Sequence, residues 1–416
     1  MRRLLLVLSV IFLVRAKNED YKGYKVYNIK LETESQAERL NELRGDLIDF
    51  WKNPSLKHNV IGKAMVPPSQ FDWFEERLAS MNLKIDVYIE DVYEHLTKVE
   101  NNFKRTMRND DDRVFDFEGY YRYDEIVTHI NALKEVVSDT NINIEIEEFG
   151  KTEQNRSVIY IKISNSTNSD EVRPVVIVEA GINPREWITI PAALNVVNRL
   201  LESDRDLLSK SDWIIVPVVN PDGYEYTHTN LRMWTKSRST GSNMGFICPG
   251  VNINRNFDVD WLVSDSSSSP CSHLYAGVEP FSEIESQIVK HLIETYRDRI
   301  RLYVSLQNNG GFVSYPWQYE RAATGMFRQH LLLALDMVAA MNEEYNVDVG
   351  WSAIGDRASG TGSDFAQKSG VLYSLNIDVV QRGEDGVNIP EEEIVDVIED
   401  VWRAISVAAT TLLSDD

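Results

Sequence analysis

The chain has little cysteine and a shortage of positive charge. Two cysteines among 416 residues are too few for a disulfide scaffold or a cysteine-rich zinc knuckle. Lys plus Arg number 43 against 65 Asp plus Glu, a formal net charge of −22, so the basic surface that binds nucleic acid is missing. A content of 43% hydrophobic and 26% charged residues is typical of a globular domain and excludes a disordered or multi-span membrane protein.

Long hydrophobic runs are also lacking, except at the N-terminus. Residues 4–14 (LLLVLSVIFLV) form an apolar run of 11 residues behind Arg2 and Arg3, which is too short to span a bilayer. This arrangement is typical of a secretory signal peptide cleaved near Ala16, and a buried core strand is the alternative. We therefore expect residues 1–16 to be a signal and the mature protein to be extracellular, without membrane association. Sequons at Asn155 and Asn165 make it a candidate glycoprotein.

Beyond the signal, the patterns predict two units. Residues 17–113 should form a small α+β unit, with strands at 24–31 and 84–89 and helices that begin at Thr33 and Glu90. The charge-dense segment 104–113 lacks apolar periodicity, which is typical of an exposed linker open to a trypsin-like protease.

Residues 114–416 alternate between strand and helix patterns, which predicts an α/β domain with a mostly parallel sheet between helices. Its ligands should lie at the carboxyl ends of the strands. A capping box of Ser282 and Glu285 predicts the clearest helix start. The predicted strands are 142–149, 158–163, 175–180, 213–219, 302–306 and 371–379, and the other helices are 188–201, 328–345 and 391–413. The last four strands are almost continuously apolar, as expected for strands covered on both faces.

Five sequence blocks carry a resemblance to a known family. They are 181–187 (GINPREW), 219–224 (VNPDGY), 250–257 (GVNINRNF), 275–283 (YAGVEPFSE) and 373–383 (YSLNIDVVQRG). In this order and spacing they resemble the secreted zinc carboxypeptidases of the pancreatic A/B type. The resemblance covers nearly the whole chain. It implies a carboxypeptidase-like domain at 114–416 and an activation-propeptide-like domain at 17–113, bound to it in cis.

The zinc ligands of that family are substituted here. A His-x-x-Glu turn and a distant His hold the family's zinc and leave a fourth position open for water. The corresponding residues are Asn183, Glu186 and Gln307, so Glu186 is the only matched ligand. An amide oxygen is a weak zinc donor, so we expect no cofactor. None of the seven histidines falls at a ligand position, and we expect all of them to be surface or half-buried side chains.

The residues that act on the substrate also depart from the family. Asp378 stands at the position of the catalytic Glu and is one methylene shorter, which retracts the carboxylate by roughly 1.5 Å. Thr235 replaces the arginine that stabilises the oxyanion, a loss that typically costs about 10²- to 10³-fold in rate. Asp356 corresponds to the family's mobile tyrosine, where it would repel a substrate carboxylate.

The pocket for a peptide's terminal carboxylate is retained. Asn254 and Arg255 match the family's carboxylate clamp, and Arg185 matches an arginine further along the substrate. A guanidinium binds a carboxylate through two parallel hydrogen bonds. The alternative is that Arg255 only pairs with a neighbouring acid. Ser363 corresponds to the base of the side-chain pocket, which indicates no strong demand for a basic or large aromatic terminal residue.

The two cysteines have an expected role by the same resemblance. Cys248 and Cys271 flank the stretch in which the family has a disulfide, and a disulfide agrees with secretion. The alternative is two free thiols.

Three functions follow as hypotheses. The first is a pseudoenzyme: a secreted carboxypeptidase homologue without zinc or activity that binds peptide or protein C-termini. The second is an active or residually active metallocarboxypeptidase that releases C-terminal amino acids. The third is a secreted scaffold without a ligand.

Overall fold

A computed structural model describes residues 16–41, 43, 48–107, 115–136, 141–165, 172–383 and 385–414. The predicted signal, apart from Ala16, and part of the predicted linker lie outside these residues. Within them, no helix combines the length and the apolar character needed to cross a membrane.

The N-terminal part contains a four-stranded antiparallel sheet and three helices, which is the α+β arrangement predicted. The strands lie in the order β2-β3-β1-β4. Their bounds are β1 Lys25–Ile29, β2 Asp49–Lys52, β3 Gly62–Val66 and β4 Val87–Ile89, and the helices are α1 Glu34–Asn41, α2 Phe71–Ser80 and α3 Val92–Met107. The sequence patterns missed β2, β3 and α2. Strands of four and five residues are too short to show a clear hydrophobic period.

The larger part is built on an eight-stranded mixed sheet in the order β11-β10-β12-β9-β7-β8-β6-β5. Strands β8, β7, β9 and β12 are mutually parallel neighbours, and β5 and β6 extend the sheet in antiparallel fashion. These four parallel strands are buried over nearly their whole length, as their apolar runs predicted. The strands are β5 Ile142–Lys151, β6 Ser157–Asn165, β7 Val175–Glu179, β8 Asp212–Val216, β9 Ile300–Gln307, β10 Phe312–Tyr315, β11 Asn346–Val349 and β12 Tyr373–Asp378.

Helices cover both faces of this sheet, which confirms the predicted fold class. One face packs against α4, α5, α8 and α11 through a large apolar cluster, and the other packs against α7 and α10 through a second cluster. The helices are α4 Tyr123–Val136, α5 Thr189–Glu202, α6 Pro221–Thr229, α7 Ile284–Tyr296, α8 Phe327–Ala339, α9 Gly350–Ala353, α10 Gly362–Lys368 and α11 Ile394–Leu412.

The predicted capping box at Ser282 is wrong. Helix α7 begins at Ile284 with Glu283 as its N-cap, and no side chain caps its first turn. The Ser282 hydroxyl instead accepts a hydrogen bond from the Asn256 side chain at 3.0 Å and donates to Glu283 at 3.0 Å. A tertiary partner therefore takes the hydroxyl that a local pattern assigned to the helix.

An apolar cluster joins the two parts of the molecule. It combines buried side chains of the N-terminal part with two buried side chains of the larger part: Tyr21, Val26, Trp51, Met65, Ile89, Val92 and Leu96 with Met233 and Val387. Near it, the Asn18 N–H donates to the Asn230 carbonyl at 2.7 Å, and the Arg232 N–H donates to the Asn18 side chain at 2.8 Å. The N-terminal part therefore packs on the larger part through a dry core as well as polar contacts.

The disulfide expected from the resemblance is confirmed. Cys248 and Cys271 are bonded across 23 residues of sequence, and the described residues include no free cysteine.

Gly360 allows a close backbone approach beside the site. Its φ is +69°, and a Cβ placed there would lie 2.3 Å from the carbonyl oxygen of Arg255. We expect Gly360→Ala to lower the free energy of unfolding by about 2 to 4 kcal/mol, because it combines an unfavourable φ with a backbone clash. Chemical denaturation measures this loss. The matched control is Gly325→Ala, where a Cβ meets nothing within 4 Å; equal effects of the two substitutions would contradict the prediction.

Candidate active site

The candidate site lies where parallel strands end, as the sequence predicted. Gln307 and Asp378 are the last residues of β9 and β12 and stand opposite each other in the parallel register. The segment after β7 brings Asn183 and Glu186 to the same edge. Together they line a cavity of about 110 Å³, which the N-terminal part closes through Ile48, Asp49, Phe50 and Asn53.

The side chains at the three metal-ligand positions form hydrogen bonds within the protein, although the Asn183 side-chain oxygen is buried and has no hydrogen-bond partner among the described residues. The Asn183 side-chain amide donates to the Glu186 carboxylate, whose other oxygen accepts from the Asn308 N–H at 2.8 Å. The Gln307 amide donates to the Ser305 hydroxyl at 2.9 Å. One carboxylate and two amides are a poor donor set for zinc. Among the described residues, no group of three or more His, Cys, Asp or Glu side chains could hold a metal ion. The residues present do not fit the zinc of the resembled family.

Two buried carboxyl groups dominate the chemistry of the cavity. Burial raises the pKa of Glu186 to about 7; the charge of Arg185 lowers it and that of Asp378 raises it. Burial likewise raises the pKa of Asp378 to about 6, against hydrogen bonds from Asn309, whose side chain lies 3.3 Å from Asp378 Oδ1. Both carboxyls are therefore partly protonated near neutral pH, and neither forms an ion pair with another described residue.

Thr235 supplies no cation to the cavity. It is buried and lines the cavity, and its hydroxyl donates to the His273 carbonyl at 3.3 Å. That hydroxyl is directed to the protein's own backbone, so the position provides no guanidinium for a developing oxyanion.

Both arginines of the cavity are paired with acids of the same chain. Arg185 Nη1 lies 2.7 Å from Asp49 Oδ2 of the N-terminal part. Arg255 Nη2 lies 2.5 Å from Asp265 Oδ2, and Arg255 Nε donates to the Asp265 carbonyl at 2.6 Å. Arg255 therefore has a neighbouring acid as its partner, and whether it also binds a ligand's carboxylate stays a prediction. Asn254 also lines the cavity, where its side-chain oxygen accepts from the Gly362 N–H at 3.1 Å.

Two expected site residues do not line the cavity. Asp356 forms an ion pair with Arg321 at 3.0 Å, and Ile354 lies at the cavity in its place. Ser363 is 2% exposed in α10, where its carbonyl accepts from the Ser374 hydroxyl at 2.7 Å. The expected roles of Asp356 and Ser363 stay predictions; the Ser363 hydroxyl accepts from the side chain of Gln318, a residue that lines the cavity, at 3.4 Å. Asp356 has a cation partner of its own, and helix packing encloses Ser363.

The expectation for the histidines was also too simple. His330 is fully buried between Thr324 and the Leu372 carbonyl. His273 lines the cavity, where burial lowers its pKa. A single histidine in a sequence carries no local signal of burial, which depends on how distant segments pack.

Sequence reasoning missed the two acids that pair with the arginines. Asp49 opens the short strand β2, and Asp265 lies in a serine-rich tract between Ser264 and Ser266. Neither position has a motif that points to the cavity. The one available signal was the excess of acids over bases in the chain, which makes internal pairing of each arginine probable on numbers alone.

Comparisons with known proteins agree with the fold. A family model described as zinc carboxypeptidase matches residues 129–404, and one described as carboxypeptidase activation peptide matches residues 27–98. Carboxypeptidase B of Helicoverpa zea is 32% identical over 428 residues, which cover 98% of this chain and 98% of that protein. Carboxypeptidase A1 of Homo sapiens is 28% identical, with 96% of each chain covered. The crystal structure of carboxypeptidase A from Helicoverpa armigera has a TM-score of 0.88 at 27% identity, with 95% of this chain and 98% of that chain covered.

The raised pKa of Glu186 predicts a pH-dependent stability. Its folded-state pKa of about 7 lies above the ordinary 4.5, so its contribution is complete below about pH 4.5 and is lost as the pH rises through about 7. Relative to Glu186→Gln, we expect the wild type to lose up to about 3 kcal/mol of unfolding free energy over this range. The glutamine keeps only one acceptor oxygen for the two donors, the Asn183 amide and the Asn308 N–H, but the cost of this loss does not vary with pH.

Denaturant titrations of both proteins at several pH values measure this difference. The control is Glu147→Gln on an exposed position of β5, for which the difference from wild type should stay constant. A constant difference for Glu186→Gln as well would show that the carboxyl is not buried as described.

Proposed function

The chain belongs to the zinc carboxypeptidase family, and from that premise we propose that it is a non-hydrolytic member that keeps its cleft as a binding site for peptide C-termini. The observation that carries the proposal is the hydrogen bond between the Asn183 amide and the Glu186 carboxylate. This contact pairs the residues at two of the three zinc-ligand positions with each other. Gln307, at the third position, donates to Ser305. Both Glu186 oxygens accept protein hydrogen bonds, and the buried oxygen without a partner among the described residues, that of Asn183, is a weak zinc donor, so we expect no metal to be held.

The acid–base and oxyanion positions support the same proposal. Peptide hydrolysis needs a base within hydrogen-bond reach of the attacking water and a donor for the developing oxyanion. Asp378 is held by Asn309 and is shorter than the family's Glu, while the Thr235 hydroxyl donates to a carbonyl. Neither group is arranged to assist the reaction.

Peptide binding is proposed from Asn254, Arg255 and Arg185. All three line one cavity, and each arginine already binds a carboxylate: Asp265 for Arg255 and Asp49 for Arg185. These contacts support a site that recognises carboxylates, because a ligand's terminal carboxylate would take the place of one of these acids. In the intact chain, Asp265 of the larger part and Asp49 of the N-terminal part therefore occupy the two arginines of the cleft.

Two other functions remain as candidates. A metallocarboxypeptidase with residual activity is favoured by the family membership and by the two carboxyls, Glu186 and Asp378, at the strand ends. A scaffold without a ligand is favoured by the internal pairing of both arginines. The zinc content distinguishes a residually active metallocarboxypeptidase from the proposed function. Peptide binding distinguishes a ligand-free scaffold from it.

Secretion is also part of the proposal. It is supported by the N-terminal apolar run of residues 4–14 and by the Cys248–Cys271 disulfide, which persists in oxidising compartments. The sequon residue Asn155 lies exposed in the turn between β5 and β6, where a glycan would have room.

Metal analysis of the purified full-length protein tests the proposal directly. After dialysis without chelator, we expect zinc far below one atom per chain by mass spectrometry, because Glu186 is the only ligand residue that matches. The positive control is Asn183→His with Gln307→His, which should bind zinc but hydrolyse peptides poorly, since Thr235 and Asp378 are unchanged. One tightly held zinc per wild-type chain would overturn the proposal, and rapid hydrolysis by the double variant would show that Thr235 and Asp378 matter less than argued.

Asp265 should control how well a free carboxylate binds. We expect Asp265→Asn to strengthen binding of a short free-acid peptide by roughly 10- to 150-fold, because it releases Arg255 from a charged hydrogen bond of about 1.5 to 3 kcal/mol. Calorimetry measures the dissociation constant of the peptide with and without Asp265→Asn. Both proteins carry Asp49→Asn, which also releases Arg185 from its ion pair.

The same peptide with an amidated C-terminus is the control for that experiment and should gain much less. Arg255→Ala should remove the gain. If Asp265→Asn binds the free-acid and amidated peptides equally, the carboxylate site is wrong and the scaffold is favoured.

A further inference from the structure

Two histidines of the N-terminal part bind buried aspartates of the larger part, outside the cleft. The propeptide-like domain is defined here as the small sheet with α1–α3, and the peptidase-like domain as the larger sheet with its helices. His58 Nε2 lies 2.7 Å from Asp348 Oδ2, and His95 Nε2 lies 2.9 Å from Asp385 Oδ2. Each pair joins the two domains. We infer that these two pairs make the docking of the propeptide-like domain pH-dependent, tight in mild acid and weaker in alkali.

The first pair is enclosed at the end of β11. The side chains of His58 and Asp348 are 11% and 8% exposed, and the His58 ring packs edge-on against Phe312 with centroids 5.0 Å apart. Asp348 Oδ2 also accepts from Lys57 Nζ and from the Ser352 hydroxyl, both at 2.6 Å. One exposed lysine therefore shares this aspartate with the histidine.

The second pair is enclosed further along the same interface. The side chains of His95 and Asp385 are 11% and 1% exposed. Asp385 Oδ2 also accepts from the Asn388 side chain at 2.6 Å, and its other oxygen accepts from two backbone N–H groups, of Val387 and Asn388. The cations that experience the charge of Asp385 are Lys63 on β3 and Arg232, and Tyr120 experiences it as well.

Both aspartates remain ionised over the pH range in which histidine titrates. Burial raises the pKa of Asp348, but hydrogen bonds from Lys57, Ser352 and His58 outweigh it and hold the pKa below its usual value. Burial is likewise outweighed at Asp385, where His95 and Asn388 hold the pKa well below its usual value. Of the side-chain types in these two pairs, only histidine has an ordinary pKa between about 5 and 8.

The direction of the pH dependence of docking follows from the contact between each imidazole and its aspartate. An imidazolium opposite each aspartate gives a charge-assisted hydrogen bond, whereas a neutral imidazole gives an ordinary one that is weaker by about tenfold in binding. Two pairs acting together should raise the dissociation constant between the domains by up to about 100-fold from pH 5.5 to 8.5. The shared apolar cluster and the Asp49–Arg185 pair also join the two domains, so docking does not rest on the two histidine pairs alone.

The partner of this surface is therefore the chain's own propeptide-like domain. If the segment 104–113 is cut, the two pieces should stay together in mild acid and separate more readily in alkali. Release would then depend on the compartment as well as on proteolysis. This inference does not depend on whether the cleft binds peptides or zinc.

The test uses the full chain with a specific protease site placed between Asp110 and Arg113. After complete cleavage, sedimentation velocity on a dilution series gives the dissociation constant of the two pieces from about pH 5.5 to about pH 8.5. We expect the wild type to weaken by up to about 100-fold over this range and His58→Gln with His95→Gln to show a nearly flat profile.

Single variants and a matched control keep the test decisive. His58→Gln alone and His95→Gln alone should each remove about half of the change in the logarithm of the dissociation constant. These single variants also test the inference if the double variant does not fold. His291→Gln, on an exposed position of α7 in the peptidase-like domain, should leave the profile unchanged. A flat wild-type profile, or a double variant with the wild-type profile, would overturn the inference.

Discussion

The hydrogen bond between Asn183 and Glu186 is the contact on which the character of the site depends. A buried carboxyl group such as that of Glu186, which forms no ion pair among the described residues, needs hydrogen-bond donors to be tolerated. The Asn183 amide and the Asn308 N–H supply them. Where the family places a divalent ion among imidazoles and a carboxylate, this chain has a neutral network of amides. The strands and loops around it can therefore keep their positions without a metal.

The removal of positive charge from the cleft is systematic. By the correspondence with the family that we infer, amides stand at two of the three zinc-ligand positions and threonine stands at an arginine position, while each of the two remaining arginines pairs with an aspartate. One of these aspartates, Asp265, belongs to the same domain as its arginine, whereas Asp49 belongs to the propeptide-like domain. Separation of the domains would free Arg185 but leave Arg255 paired. Both arginines match substrate-binding positions in the sequence, but only the pairing of Arg185 depends on the docked small domain.

Features that depend on neighbouring residues in the sequence could be predicted, whereas features that depend on the packing of separate segments could not. The buried strands follow from continuous apolar runs, and the positions of Glu186, Gln307 and Asp378 at their ends follow from motifs in register. Pairings such as Arg255 with Asp265, or His95 with Asp385 across 290 residues, depend on the packing of separate segments and leave no local pattern. The error at Ser282 has the same cause. A local rule assigned its hydroxyl to the helix, and Asn256, 26 residues away, binds it instead.

The apolar cluster shared by the two domains bears on how the protein would behave if they parted. Met233 and Val387 are 2% and 3% exposed and belong to the same apolar cluster as Trp51, Met65 and Leu96 of the small domain. Departure of the small domain would place these side chains in water, at a hydration cost that the docked form avoids. The small domain therefore acts as a built-in solubility partner for the large one. The high negative charge of the chain would then be what keeps separated copies of the large domain from associating through that uncovered patch.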